Sequence, residues 1–398
     1  MSEVDRWSNI HQDLLNEVTQ RFYSYDNDYL QLRLVCKQWN LKLPKIPTGN
    51  KVPWLLLPIG GGAAKKSFEE VRSLEEEDIY QIMQLPTIDE ETLDTDGLEE
   101  EGIYHFMAWE LQDNSICGSC HGWLIIVMVY EGTIKMLNPF TKVHLDLSPI
   151  STLSNVIDIN ENECINIGKI ITRNTIPMHK TQIWKAIINS APTNDNNNDF
   201  MAVVIYGCDS NLAFYKPNDK RWLRFSTRPM CDVIFFQEKI YAVDYEGQLY
   251  EFDTKNKSGP MGRIYEAAPP PSDTGCFKCY YLIGCANGSL LMLIRRVRRR
   301  CKVVETVKFY VYELKKNEKA WSRIYDLGNY ILVIGLNSSV QMLSSKGNQI
   351  YFTDNMRIAH SPYLAEPHDI GIFNLEDGSF KKLLTDVKFF CPPVWILS

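Results

Sequence analysis

The chain has 398 residues, 45% of them hydrophobic and 23% charged, with a formal net charge of −7. That length supports a large buried core, and the weakly acidic balance argues against nonspecific nucleic-acid binding by the whole protein. No apolar run approaches the roughly 18 residues of a membrane-spanning helix. The eleven cysteines are scattered and follow no secretory leader, so they read as reduced thiols of a nuclear or cytosolic protein.

Residues 7–43 differ from everything after them. Leu14, Leu15, Val18 and Phe22 fall at helical spacing, as do Leu32, Val35, Cys36 and Trp39, and Tyr25-Asp-Asn-Asp28 supplies a break and an N-cap between the two sets. The pattern predicts short amphipathic helices, too few to bury their apolar faces alone: either a helical cap on the following domain or an adaptor-binding module. Pro44 and Pro47 end this region, and Val52-Pro-Trp54-Leu-Leu-Leu-Pro58 opens a β-rich one. Gly60-Gly-Gly62 reads as a flexible turn, because neither Lys65 nor Lys66 heads a Ser/Thr-led helix at phosphate-loop spacing. From Lys65 to Glu101 there are 14 acidic and 3 basic residues, a net of −11, so the rest of the chain sums to +4. Such a run reads as a solvated acidic loop.

Three short motifs suggest chemistry and none has the context it needs. Cys117-Gly-Ser-Cys120-His121 has the spacing of a c-type haem attachment, and Gly118-Ser-Cys120-His-Gly122 that of a nucleophile elbow. Both want a helix nearby, whereas the β-branched run Leu124-Ile-Ile-Val127 reads as a strand. Cys276-Phe-Lys-Cys279 makes a second CxxC pair, but it lies over 150 residues from the first, which does not suit a zinc site. Asp244 and Asp354 hold matching places in two repeats, and each reads as an acceptor for turn amides rather than as half of a catalytic pair. No catalytic, cofactor-binding or metal-binding residue is expected.

The clearest unit is Lys239–Asp253, where two runs of β-branched and aromatic residues flank Glu246-Gly247 as in a β-hairpin. Its first strand is apolar on both faces. In its second, Tyr250 and Phe252 alternate with Glu251 and Asp253, which predicts cover on one side only. Ile240-Tyr241-Ala-Val-Asp244 returns as Ile350-Tyr351-Phe-Thr-Asp354, and with Leu290 as an intermediate marker the intervals are 50 and 60 residues. Periods near 40–50 residues with four strands each are those of β-propeller blades. Strand counting gives blades at 52–100, 103–150, 156–228, 232–268, 278–326 and 331–385, with Val394-Trp395-Ile396 returning to complete the first. The expected fold is mainly β, a propeller of six blades, with seven as the alternative count and a β-sandwich repeated in tandem as the alternative architecture. Arg295-Arg-Val-Arg-Arg-Arg300 is the one dense basic run. Arg295, Arg296, Arg298, Arg299 and Arg300 read equally as a nuclear localisation signal or acidic-partner contact, or as a solvated hairpin tip.

Trp7-Ser-Asn-Ile10-His-Gln-Asp13-Leu14-Leu15 followed by Leu32-Arg33-Leu-Val35-Cys36-Lys37-Gln-Trp39 resembles an F-box. In order along the chain, Pro53-Trp54-Leu-Leu-Leu-Pro58, Gly118-Ser-Cys-His-Gly-Trp123, Leu137-Asn-Pro-Phe-Thr141, Phe214-Tyr-Lys-Pro-Asn-Asp-Lys-Arg-Trp222, Lys239–Asp244, Tyr351-Phe-Thr-Asp354 and Pro392-Pro-Val-Trp395-Ile396 resemble the plant F-box proteins with a KIB-type, kelch-related domain. The resemblance implies a small α-helical F-box module at 1–47 before a propeller at 52–398. It also implies adaptor contacts from Ile10, His11, Leu14, Leu15, Val18, Leu32, Val35 and Trp39, with His11 standing where the family has proline. The expected function is that of a non-catalytic substrate receptor. It would bind a Skp-type adaptor and through it a cullin-RING ubiquitin ligase, while the propeller holds an unknown target protein. The alternatives are an adaptor-independent propeller scaffold and, behind it, a propeller hydrolase. Neither membrane nor nucleic acid is expected as a partner, and the expected location is the nucleus, the cytoplasm or both.

Overall fold

The computed structural model describes most of residues 115–153, 183–353 and 366–396, with Trp54–Ile59, Ile79–Gln84 and Ile103–Met107, and before them His11, Leu14, Leu15 and Lys37–Lys42. Blade 1 holds β1 (Trp54–Ile59), β2 (Ile79–Gln84) and β3 (Ile103–Met107). Blade 2 holds β4 (Ser115–Cys120), β5 (Trp123–Met128), β6 (Thr133–Leu137) and β7 (His144–Leu147). Blade 3 holds β8 (Ile183–Ile188), β9 (Ala202–Tyr206), β10 (Asn211–Tyr215) and β11 (Leu223–Ser226), and blade 4 holds β12 (Met230–Phe236), β13 (Lys239–Asp244), β14 (Leu249–Asp253) and β15 (Met261–Ile264). Blade 5 holds β16 (Phe277–Gly284), β17 (Leu290–Arg300), β18 (Val303–Lys315) and β19 (Ala320–Ile324). The last sector holds β20 (Tyr330–Ile334), β21 (Val340–Leu343), β22 (Gln349–Phe352), β24 (Gly371–Asn374) and β25 (Phe380–Lys382). The short strands β23 (Glu366–Pro367) and β26 (Lys388–Phe389) pair with each other, and β27 (Val394–Ile396) is the last strand of the chain.

Two expectations are corrected here. Among the described residues five sheets have the four-stranded antiparallel form of a regular blade, not six or seven. The last sector is a five-stranded sheet in the order β21-β20-β22-β24-β25, whose β20 and β22 run parallel. The reason is an added hairpin arm: β21 pairs antiparallel with the edge of β20 opposite β22, so the chain returns to β22 in the same direction as β20. The second correction concerns helix. Among the described residues the longest α-helix, α1 (Lys37–Lys42), has 6 residues, so the α-helical F-box module is not part of the described fold. A helix of 6 residues does not by itself repay nucleation without a packing surface, and Val18, Phe22, Leu32, Val35 and Cys36 of the helical-spacing sets lie outside the described residues. Strand boundaries also shift: β3 pairs with β2 and belongs to blade 1, although the sequence grouped it with blade 2.

The ring is closed by the end of the chain. β27 pairs antiparallel with β1, placing Trp54 opposite Ile396 and Leu56 opposite Val394. This contact joins the first blade to the last sector and covers an inner edge that would otherwise offer unpaired amides. Trp395 packs there with Leu55, Ile331, Val333, Ile370 and Ile372.

Blade 4 shows how the sequence specifies its unit. In β13 the residues from Ile240 to Val243 are all buried, two toward each neighbouring blade. β14 departs from the expected one-sided cover, because Glu251 is buried as well. Its carboxylate lies 3.0 Å from Lys239 Nζ, accepts from Arg263 Nη2 at 2.8 Å and from the Tyr241 hydroxyl at 2.8 Å. Burial pushes its pKa up, and these three donors outweigh that and hold it below the ordinary carboxylate range.

The turn joining β13 to β14 is built on Asp244. Its carboxylate accepts from the amides of Glu246 and Gln248, each at 2.9 Å, and from the Tyr250 hydroxyl at 3.1 Å. Gly247 has φ +87°, and a Cβ there would sit 3.0 Å from the Tyr280 ring of blade 5. Asp244→Ala is expected to destabilise the fold by about 1–2 kcal/mol, measured as a lower urea midpoint at unchanged slope. An unchanged midpoint would show that the carboxylate does not hold the turn.

Candidate functional site

In a regular blade each strand reverses the one inside it. The start of the inner strand, the turn between the second and third strands and the end of the outer strand therefore share one face of the ring. On blades 4 and 5 that face carries Tyr245 in the β13–β14 turn, Phe277 at the start of β16 and Tyr325 just past β19, with exposures of 45%, 66% and 66%. Tyr330 and Leu343, directly opposite each other on β20 and β21, are also exposed. Large apolar side chains gathered on loops and strand ends are the composition of a protein-binding surface, where aromatics are enriched.

Beneath the face, buried polar groups fix the blades to one another. Lys185 on β8 reaches Asp232 on β12 at 2.5 Å, and the other oxygen of Asp232 accepts the Leu282 amide of β16 at 2.7 Å. One carboxylate thus ties three consecutive blades. Trp222 does the same between blades 2 and 3, donating its indole N–H to the Ser148 carbonyl at 2.8 Å. Buried ionic groups persist only when paired and hydrogen-bonded, and here the pairing sets the position of blades 3, 4 and 5 around the axis.

The sequence motifs resolve into structural roles. Cys117 is buried, and its thiol donates to the Ile125 carbonyl at 3.3 Å. Cys120 is buried too, and its sulfur accepts the Ile188 amide at 3.3 Å. Burial pushes the Cys120 thiol up to about 11 and raises Cys117 further, so neither is a ready thiolate. His121 and Gly122 both have positive φ and form the two-residue turn into β5, with no helix following. Cys279 lies on blade 5, Cys276 lies outside the described residues, and among the described residues no group of three or more His, Cys, Asp or Glu could hold a metal ion. Asp354 lies outside the described residues as well.

Of the residues expected at an adaptor, Leu14 is exposed, while Leu15 and Trp39 are buried and His11 is exposed. Ile10, Val18, Leu32 and Val35 lie outside the described residues. The basic run occupies the end of β17 in a hairpin with β18. Arg295 is wholly buried, Arg296 half-buried and Arg298 exposed, whereas the side chains of Arg299 and Arg300 lie outside the description. Sequence reasoning missed the buried role of Arg295 because its partner Asp369 is 74 residues away. It also missed the exposed aromatics, which carry no motif.

A family model described as the KIB1-4 beta-propeller matches residues 93–374. The chain belongs to the KIB1-4 beta-propeller family. The matched span runs from before β3 to Asn374 at the end of β24 and bears out the resemblance of the propeller segments. Among relatives, the F-box protein SKIP23 of Arabidopsis thaliana is 24% identical over 435 aligned residues, covering 98% of this chain and 96% of that protein. A putative F-box protein of the same plant, At5g55150, is 21% identical over 291 residues, covering 71% of this chain and 73% of its own length. Among solved structures, TolB from Acinetobacter baumannii is 12% identical, covering 91% of this chain and 71% of that one at a TM-score of 0.40. With such a face, this KIB1-4 propeller is a protein-interaction module. No described helix is long and apolar enough to cross a membrane.

Proposed function

We propose that the chain is a protein-binding propeller scaffold that holds its partner on the face of blades 4 and 5 without needing an adaptor. The observation that carries this reading is the set of exposed aromatics, Tyr245, Phe277 and Tyr325, on one face of a ring otherwise closed by buried inter-blade contacts. A rigid ring presenting apolar loops loses little conformational entropy on binding.

A second reading is favoured by the F-box relatives, one of which matches nearly the whole chain. In it the segment holding Ile10, His11, Leu14, Leu15, Val18, Leu32, Val35 and Trp39 docks on a Skp-type adaptor, and the propeller presents a target to a cullin-RING ligase, with nuclear or cytoplasmic location following the target. Ubiquitin transfer would then gain from proximity within one assembly. Leu14 separates the two readings, because it is exposed and its replacement costs the fold little. The full chain, expressed in plant cells and captured with its bound proteins, is expected to retain the same protein ligand in wild type and in Leu14→Asp. His11→Pro is expected to add no adaptor. Selective loss of an adaptor and cullin in Leu14→Asp with the target retained, or an adaptor gained by His11→Pro, would favour the receptor reading.

A further inference from the structure

Blade 5 carries an arrangement that its own stability does not explain. Lys278 on β16 lies directly opposite Arg296 on β17, and Arg296 lies directly opposite Lys308 on β18. Directly opposed residues of antiparallel strands share a face, and neighbouring strands are about 4.8 Å apart. Three cations therefore stand in a row across three strands, a placement that is destabilising in a sheet. Lys308 is exposed, and Lys278 and Arg296 are half-buried. Lys278 and Lys308 make no ion pair among the described residues. Burial is the main cause that raises the Tyr280 pKa, and Asp244 and Glu246 of the blade 4 turn add to it, yet among the described residues neither bridges to Lys278.

The surroundings extend the row. Arg296 Nη1 donates to the Tyr310 hydroxyl at 3.2 Å, and the Lys308 ammonium sits 5.5 Å from the Tyr310 ring. Arg323 stacks at 4.6 Å on both Tyr310 and Tyr325. Stacked guanidinium groups are held in place while keeping donors for an anion. Phe277, next to Lys278, is exposed, so the row borders the aromatic face.

We infer that Lys278, Arg296, Lys308 and Arg323 form a docking row for an acidic segment of the protein that the propeller binds, the aromatics alongside taking its apolar residues. This rests on the protein-binding reading and names the chemistry of the partner. Charge complementarity carries it: opposed like charges are relieved by an extended strip of carboxylates, and the exposed aromatics beside the row suit the apolar residues of a protein segment.

The test is fluorescence anisotropy at low salt with the full chain and a labelled oligoglutamate peptide, beside a single-stranded oligodeoxynucleotide of equal charge. The peptide is expected to bind more tightly than the oligonucleotide, and Lys278→Gln with Lys308→Gln to weaken it by about tenfold. Lys278→Arg with Lys308→Arg should bind as wild type does. The glutamine variant should melt no lower than wild type, because it removes repulsion, and this separates a docking role from a structural one. The inference is overturned by unchanged peptide affinity in the glutamine variant, by absence of peptide binding, or by tighter oligonucleotide binding. It is overturned too if Glu75, Glu76 and Glu77 to glutamine strengthens peptide binding, which would make the chain's own acidic segment the occupant. Failure here leaves the protein-binding reading standing, because that reading is tested on a captured protein and not on this probe.

Discussion

Arg295→Ala is expected to destabilise the folded chain by about 3–5 kcal/mol, the cost of leaving one member of a buried pair uncompensated. Arg295 has no exposed surface, and its Nη2 lies 3.0 Å from Asp369 Oδ2. Nε donates to the Thr306 hydroxyl at 2.8 Å and Nη1 to the Thr353 carbonyl at 2.8 Å, while the guanidinium lies 4.9 Å from the Phe352 ring centroid. Asp369 also accepts the Thr306 amide at 2.6 Å. The pair thus pins the extended end of β17 and β18 to the irregular last sector. The loss should appear as a lower denaturant midpoint. Arg295→Met with Asp369→Leu should cost less than the two single changes together, since an apolar pair leaves no charge stranded. An Arg295→Ala midpoint within experimental error of wild type would mean that the pair does not bind the two sectors together.

Trp395→Ala carries the other large effect, about 3–5 kcal/mol for removal of a fully buried aromatic. Its ring meets Tyr351 edge-on at 6.1 Å between centroids, inside the cluster that joins blade 1 to the last sector. Its indole N–H finds no hydrogen-bond partner among the described residues. Trp395→Phe therefore loses area and no hydrogen bond, and should fall well short of the alanine loss. Because β27 closes the ring, the alanine variant should also expose the inner edge of β1 and aggregate on heating. A phenylalanine variant as unstable as the alanine one would show that the indole nitrogen is satisfied in solution.

These residues show where the sequence was legible. Val394-Trp395-Ile396 stood out as an apolar triplet at the end of a chain whose first β run was equally apolar, and ring closure followed from the need to cover two edges. The β13–β14 hairpin was readable because alternation and Glu246-Gly247 are local signals. Arg295 was not readable in this way. A basic run looks solvated unless the partner is known, and Asp369 reaches it only through the fold. Glu251 misled for the same reason, as its partners Lys239 and Arg263 come from neighbouring strands. The last sector broke the repeat because β21 occupies an inner position that no period announces. Of the docking row, the sequence marked only Arg296, in a basic run that also read as an acidic-partner contact; Lys278 and Lys308 become its neighbours only in the register of blade 5. Among the residues expected at an adaptor, helical spacing identified Leu14, Leu15 and Trp39 without saying which would be exposed.

The most direct test of the propeller as the binding part is cross-linking mass spectrometry on the full chain and its captured partner. Lysine cross-links from the partner should gather at Lys278 and Lys308, beside Phe277 and Tyr325. Cross-links confined to residues 1–47, with none on the propeller, would contradict the account.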